Sequence, residues 1–325
     1  MDPAKHRLGW IGTGRMGYAL AERLLRAGCD LAVYNRTRSK AEPLAALGAE
    51  IVDSPVELAD REMVFTMVAG SDDFSAVVEG DEGVLAGANG RPRVIVDATT
   101  VSAAVAGRVR ESAAALGVDV LAANVSGNPS VVKSGKLTVV ASGPRTAFDL
   151  AEPYLRMFGA GVTYVGEGEA ARLVKICHNL LLAAVTQSLA EITVLAERFG
   201  VSRADFLEFI NQSVMGSVFT RYKTPAFVNL DFSPTFTGHL LRKDLELGLE
   251  AGRDLGVPLP VAALVHQIVV GLIGEGRGDV DFAALLEIEA RRAGLDLLPE
   301  DRVVSDGLEV ETPAPALSGA DGIAD

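Results

Sequence analysis

Cysteine is almost missing: Cys29 and Cys177 are the only two in 325 residues, they lie far apart, and they form no CxxC pair. That excludes a disulfide framework and a cysteine zinc cluster, and it suits a reducing, cytoplasmic setting. Histidine is nearly as scarce. His6, His178, His239 and His266 show neither H-x-x-x-H nor Cys/His ligand spacing, so no metal site is expected. His178 follows Cys177 directly, and helix neighbours diverge by about 100°, so it reads as a packing residue. Positive charge is in deficit. Thirty Lys and Arg face 43 Asp and Glu, a net −13, which argues against a general binder of nucleic acid or anionic membrane. Much of the excess is local, because Asp296–Asp325 holds eight acids against Arg302 alone. Long apolar runs are also lacking. The greasiest stretch, Leu180–Ala196, is broken by Thr186, Gln187, Ser188, Glu191 and Thr193 and reads as too short and polar to span a bilayer. Only seven residues precede the first apolar run at Leu8, so no signal peptide is expected.

What is present is ample core material: 49% of the residues are apolar, on a chain longer than one core usually holds. Leu8–Gly12, Leu31–Tyr34, Met63–Val68, Val94–Asp97, Val118–Leu121 and Leu137–Ala141 read as strands. Helix-period segments, Arg15–Ala27, Ser39–Leu47 and Ala103–Leu116, lie between several of them. That alternation predicts a parallel sheet covered on both faces. From Ala170 to Gly294 nearly everything reads as helix, beginning with one long apolar element, Ala170–Phe199, that stops at Gly200. Further helices are expected at Arg203–Asn211, His239–Leu255, Leu259–Ile273 and Asp281–Ala293, with Gly216–Thr237 an ordered loop. The expected organisation is an α/β domain over 1–168 and an all-α domain over 169–302, joined by a long interdomain helix (169–199). A flexible acidic tail is expected over 303–325.

Gly12-Thr13-Gly14-Arg15-Met16-Gly17 spells GxGxxG directly after a strand and at the opening of a helix. Gly12 permits the tight turn, Gly14 lets backbone approach a pyrophosphate, and Gly17 lets helix and strand pack closely. The helix N-terminus adds unpaired N–H groups and a favourable dipole. The domain is therefore expected to be a doubly wound sheet of the Rossmann type that binds a dinucleotide. After the second strand stands Asn35-Arg36-Thr37-Arg38, where an NAD-binding chain carries an acid. A carboxylate would repel a 2′-phosphate, whereas Arg36 and Arg38 can pair with it and Thr37 can donate to it, so NADP is expected over NAD.

Lys175 lies inside the apolar helix, with Asn179 one turn later on the same face. The local sequence leaves two readings open: a snorkelling lysine on a long helix, or a desolvated proton donor.

Four blocks in order resemble the β-hydroxyacid dehydrogenase family, which includes 3-hydroxyisobutyrate dehydrogenases, tartronate semialdehyde reductases and glyoxylate/succinic semialdehyde reductases. They are Gly9–Gly17 with Asn35-Arg36-Thr37; Asp97-Ala98-Thr99-Thr100; Val125-Ser126-Gly127-Asn128; and Gly166-x-Gly168 leading to Lys175 and Asn179. Phe236, Leu240, Lys243 and Asp244 then follow the family's F-x-x-x-L-x-x-K-D. The resemblance implies hydride transfer between NADP(H) and a small hydroxy or aldehyde acid, with Lys175 as general acid/base and Asn179 orienting it or the substrate. It implies a substrate site at Ser126, Gly127, Asn128, Thr100 and Lys243. Val68, Thr99, Thr100, Phe236 and Lys243 join the glycine loop and the Asn35–Arg38 turn around the cofactor, Asp244 is structural, and no metal takes part. Two departures stand out: Ala103 replaces a common proline, and Asn128-Pro129 replaces the last glycine of the substrate block. An imine reductase on the same fold, or a non-catalytic NADP-binding module, are the competing readings; the presence of Lys175 disfavours both. The apolar circumference of Ala170–Phe199 points to a homodimer or homotetramer.

Overall fold

The structure, a computed structural model, describes residues 6–88 and 90–309. Its first half alternates β1 (Arg7–Ile11), α1 (Arg15–Arg26), β2 (Asp30–Tyr34), β3 (Glu50–Ile51), β4 (Met63–Thr66), α2 (Ser71–Glu79), β5 (Val94–Asp97), α3 (Ala103–Ala114) and β6 (Asp119–Ser126). Then come the short α4 (Pro129–Lys133), β7 (Leu137–Ser142), α5 (Arg145–Leu155) and β8 (Gly159–Tyr164). All eight strands join one sheet in the order β3-β2-β1-β4-β5-β6-β7-β8. The six strands from β3 to β6 are parallel, and successive residues feed two cores. Leu8, Trp10 and Phe65 pack on one face; Ile11, Val64 and Ile95 pack on the other. Trp10 and Phe65, level with each other in the β1–β4 register, stack at 5.6 Å.

The sheet is not wholly parallel. β7 runs antiparallel to β6, because the short connection from Gly127 to Lys136 contains one helical turn and cannot supply a crossover. β3, α2, α5 and β8 were not anticipated, being short or weakly patterned. The helix expected at Ser39–Leu47 is instead two 3₁₀ turns, with Pro43 inside the second and left-handed Gly48 ending it.

The second half is helical: α6 (Ala170–Phe199), α7 (Arg203–Gln212), α8 (Val218–Asn229), α9 (Gly238–Asp254), α10 (Pro260–Gly274) and α11 (Leu285–Arg292). α8 occupies the segment expected to be a loop. Ser217 and Thr220 form a reciprocal capping box that starts it, and Pro225 and the aromatics disguised the helical pattern. α6 lies against β6 and β7 on one side and against α9, α10 and α11 on the other. It is long and apolar enough to cross a bilayer, contrary to the expectation for Leu180–Ala196. The polar interruptions at Thr186, Gln187 and Thr193 are buried within the helical half. The expected tail lies outside the described residues from 310 onward. Its residues 303–309 cross back to the sheet: Lys136 Nζ donates to the Gly307 carbonyl (2.7 Å), and Leu308 packs against the core that contains Trp10.

Candidate active site

The carboxyl ends of β1, β2, β4, β5 and β6 open into a cavity of about 910 Å³ whose far wall is α6, α8 and α9. This is where open α/β sheets bind ligands.

Its first end is built from the glycine loop. Gly12 has φ +96°, and a Cβ there would lie 2.3 Å from the Met67 carbonyl oxygen. A Cβ on Gly17 would meet the Gly12 carbonyl oxygen at 2.0 Å, so both positions require glycine for packing. Gly14 differs: nothing stands within 4 Å of its Cβ direction, no side chain caps α1, and the residue lines the cavity. Space beside an uncapped helix N-terminus is what a dinucleotide pyrophosphate requires, so the residues present fit the group. Asn35 holds this arrangement. Its Oδ1 accepts from the Thr13 N–H (2.8 Å), and its Nδ2 donates to the Thr37 carbonyl (2.8 Å).

Arg36, Thr37 and Lys40 line the cavity beyond the carboxyl end of β2, and Arg36 meets Asp73 at 2.9 Å. Three expected cofactor contacts fall elsewhere. Thr13 is buried, with its N–H spent on Asn35. Arg38 turns away to Asp53 and Glu42, two carboxylates that outcompete an open cleft. Thr99 is buried behind the wall, where its Oγ1 accepts from the Val68 N–H (3.1 Å). Lys40 was missed; its signal was a third cation just beyond Arg36 and Arg38.

At the other end, Lys175, Asn179, Ser126, Gly127, Asn128, Thr100, Val68, Phe236 and Lys243 line the same cavity. Lys175 Nζ donates to Asn179 Oδ1 (3.0 Å), and Asn179 Nδ2 donates to Asp244 Oδ2 (2.6 Å). Asp244 is thus the anchor of Asn179, and it also stands 3.6 Å from Lys243 Nζ. Burial pulls the Lys175 ammonium down to about 8, while the Asp244 carboxylate opposes that fall. Gly127, at φ +144°, turns β6 toward α4, where a Cβ would strike Val131 at 2.7 Å. Asn128 caps α4 by accepting from the Val131 N–H (3.0 Å), which leaves its amide nitrogen for a ligand. Phe236 is held by Asp281, which accepts from the Thr235 and Phe236 N–H groups and pairs with buried Lys223 (2.6 Å).

His178 was read as packing, and the structure corrects that. Nδ1 lies 2.9 Å from Asn179 Oδ1 and Nε2 lies 2.8 Å from Ser126 Oγ, on the cavity wall. Burial, then the neighbouring Lys175 charge, lowers its pKa and favours the neutral ring, although the Asn179 hydrogen bond opposes them. The available signal was position i+3 from Lys175, which shares that lysine's face. Lys136, just before β7, is a further cation on the wall that the sequence did not single out. Among the described residues, no group of three His, Cys, Asp or Glu is placed to hold a metal.

A glycine loop at strand ends, a cation pair beyond the end of β2 and a desolvated lysine on the helical wall opposite define a nicotinamide-dependent oxidoreductase of the Rossmann class. The profile described as the NAD binding domain of 6-phosphogluconate dehydrogenase matches residues 7–166. That described as NAD-binding of NADP-dependent 3-hydroxyisobutyrate dehydrogenase matches residues 168–288. The chain is 31% identical over 293 residues to 2-(hydroxymethyl)glutarate dehydrogenase of Eubacterium barkeri, covering 90% of this chain and 97% of that one. It is 28% identical to glyoxylate/succinic semialdehyde reductase 2 of Arabidopsis thaliana, over 86% of this chain and 78% of that one. The crystal structure of a 3-hydroxyisobutyrate dehydrogenase from Salmonella typhimurium superposes with a TM-score of 0.79 at 26% identity, covering 87% and 100% of the two chains. The protein belongs to the β-hydroxyacid dehydrogenase family.

Because Asp244 opposes the depression of the Lys175 pKa, Asp244→Asn should move that titration below 8, as read by nitrogen-detected NMR of the lysine side chains. A titration that moves upward would contradict the assigned electrostatics.

Proposed function

We propose that the protein transfers a hydride between NADP(H) and a small β-hydroxy acid or the corresponding aldehyde acid, with Lys175 as general acid and base. The observation that carries this reading is the Lys175–Asn179–Asp244 chain on the cavity wall opposite the glycine loop. Bound nicotinamide supplies or accepts the hydride. Lys175, as an ammonium, donates a proton to the oxygen that gains negative charge during reduction. As a neutral amine it removes the alcohol proton during oxidation. Its pKa of about 8 makes both forms accessible near neutral pH. Asn179 holds the ammonium through Oδ1, and Asp244 keeps that amide from rotating. Lys136, Lys243 and the Asn128 amide nitrogen provide donors for a substrate carboxylate.

NADP preference rests on Arg36, Thr37 and Lys40 at the ribose end, with no acid at the close of β2. Arg36 is exposed, so solvent discounts its contribution. Arg36→Ala should weaken NADPH binding about tenfold, ~1.4 kcal/mol, and change NADH binding little. Equal wild-type affinities for NADH and NADPH would refute the preference.

The central test is Lys175→Ala. It should lower kcat and kcat/KM together by ~10²–10⁴-fold and leave NADPH binding intact. In the wild type, reduction should fall as pH rises through about 8, where the ammonium is lost, and oxidation should rise over the same interval. A fully active Ala variant would end this mechanism. An imine reductase reading lacks support because the proton donor is a positioned lysine, and a non-catalytic reading leaves its desolvation without a purpose.

Assembly as a homodimer or larger oligomer is supported by apolar side chains left facing outward on the helical half. Leu181, Leu195 and Phe199 on α6, Phe209 on α7 and Leu264 on α10 are each more than 60% exposed. Light scattering should return at least twice 34 kDa at micromolar concentration; a monomer mass would exclude it.

A further inference from the structure

The hydrogen-bond directions around His178 can be assigned from its neighbours, because two groups of fixed polarity flank Asn179. An ammonium only donates and a carboxylate only accepts. Lys175 Nζ therefore identifies the atom it meets as Asn179 Oδ1, and Asp244 independently identifies the other as Nδ2. His178 Nδ1 lies 2.9 Å from that same Oδ1, so Nδ1 carries a proton and donates. In a neutral imidazole the second nitrogen is then bare. His178 Nε2 accepts, and the proton in the 2.8 Å contact belongs to Ser126. Ser126 Oγ makes no other hydrogen bond among the described residues, and it lines the cavity.

Resting on the proposed hydride-transfer reading for the substrate, we infer that His178 fixes Ser126 as a hydrogen-bond acceptor toward the cavity. The Ser126 subsite then selects substrates that bring a donor, a hydroxyl or an amine N–H, in place of a carboxylate. So held, Ser126 does not donate to a substrate carboxylate, because its one proton is committed to the wall. A carboxylate oxygen placed against Ser126 would face lone pairs and leave the oxygens unpaired. A substrate hydroxyl or amino group meets an acceptor already in place, and the acid end of the molecule is left to Lys136, Lys243 or the Asn128 amide. His178 is on this account a positioning residue, acting through Ser126.

Two measurements test the inference on the full-length protein. The first needs no turnover: nitrogen NMR of the histidine side chains at neutral pH, with His178 assigned by comparison with His178→Leu. The inference expects the Nδ1-protonated tautomer; an Nε2-protonated ring would overturn it, because Ser126 would then be free to donate. The second compares 3-hydroxypropionate, which has only hydrogens on carbon 2, with glycerate and serine, which carry a hydroxyl or an amino group there. Both hands are used, and both binding to the NADP⁺ complex and kcat/KM are read. The wild type should favour one of the donor-bearing acids by about tenfold. His178→Leu, which releases the Ser126 proton, should erase that preference chiefly through KM and leave NADPH affinity unchanged. A preference that survives in His178→Leu, or a loss that appears as weaker NADPH binding, would overturn the inference. Absence of turnover with every acid would count against the proposed function, while the tautomer and the binding ratios would still decide the role of His178.

Discussion

The buried ion pair between Asp97 and Arg172 is the joint on which the site depends. Asp97 ends β5 and is fully buried; Arg172 lies in the first turn of α6 and is 3% exposed. They meet at 2.7 Å. Asp97 also accepts from the Thr66 hydroxyl (2.6 Å) and the Thr99 N–H (3.0 Å), while Arg172 donates to the Thr99 carbonyl (2.9 Å) and contacts Glu169. A pair so desolvated contributes little net stability over an apolar substitute, yet removing one partner costs ~3–5 kcal/mol because the other charge is stranded. What it secures is geometry. It fixes the start of α6 against the strand that leads to Thr100, and Lys175 and Asn179 follow on the next two turns.

On the helix so positioned, the polarity of the wall follows in one direction from Asp244. Asp244 reaches across from α9 to Asn179, Asn179 presents its oxygen to both Lys175 and His178, and His178 Nε2 accepts a hydrogen bond from the Ser126 hydroxyl. Asp244 and Lys175 together set the orientation of the Asn179 amide, its oxygen sets the His178 tautomer, and that tautomer directs the Ser126 proton. The chain begins in the helical half and ends on β6 of the sheet, so Lys175 and Ser126, both on the cavity wall, are registered to each other across the cleft. Two basic side chains, Lys175 and His178, share one amide oxygen. Burial and their mutual charge lower the pKa of the histidine, so the neutral ring is the form that suits the network.

Much of this was written plainly in the sequence. The glycine spacing, the strand–helix alternation and the long α6 are local patterns, and each depends on steric or periodic rules that no distant residue alters. Elements that depend on capping or on distant partners were not visible. α8 begins on a side-chain capping box and carries a proline, so its apolar spacing alone suggested a loop. Arg38 and Thr99 sit in the right segments, but carboxylates distant in sequence (Asp53) and a backbone amide (Val68) claim them. His178 was judged against its neighbour Cys177, with which it shares no face. The relevant partners were Lys175 on its own face and Ser126, which lies on a strand far away in sequence.

The charge distribution closes the account of the cleft. A chain of net charge −13 repels an anionic dinucleotide at long range, so attraction has to be local. Within a Debye length of ~8 Å at physiological salt, the sum over the cavity wall outweighs the sum over the molecule. That wall carries Arg15, Arg36, Lys40, Lys136, Lys175 and Lys243 against Asp73, Glu82 and Asp244. Two of the three acids are already engaged: Asp73 pairs with Arg36, and Asp244 faces Asn179 and Lys243. Arg15 in turn reaches over the cleft to the Pro234 carbonyl, so a cation of the glycine loop also bridges to the segment carrying Phe236. The cleft is thus a positive enclave in an acidic protein. Apart from Arg15, its cations fall into two groups, Arg36 and Lys40 beyond the end of β2, and Lys136, Lys175 and Lys243 around the Asn179 end. Ser126, inferred to donate to His178 and to accept toward the cavity, lies within the second group as a neutral position among charges.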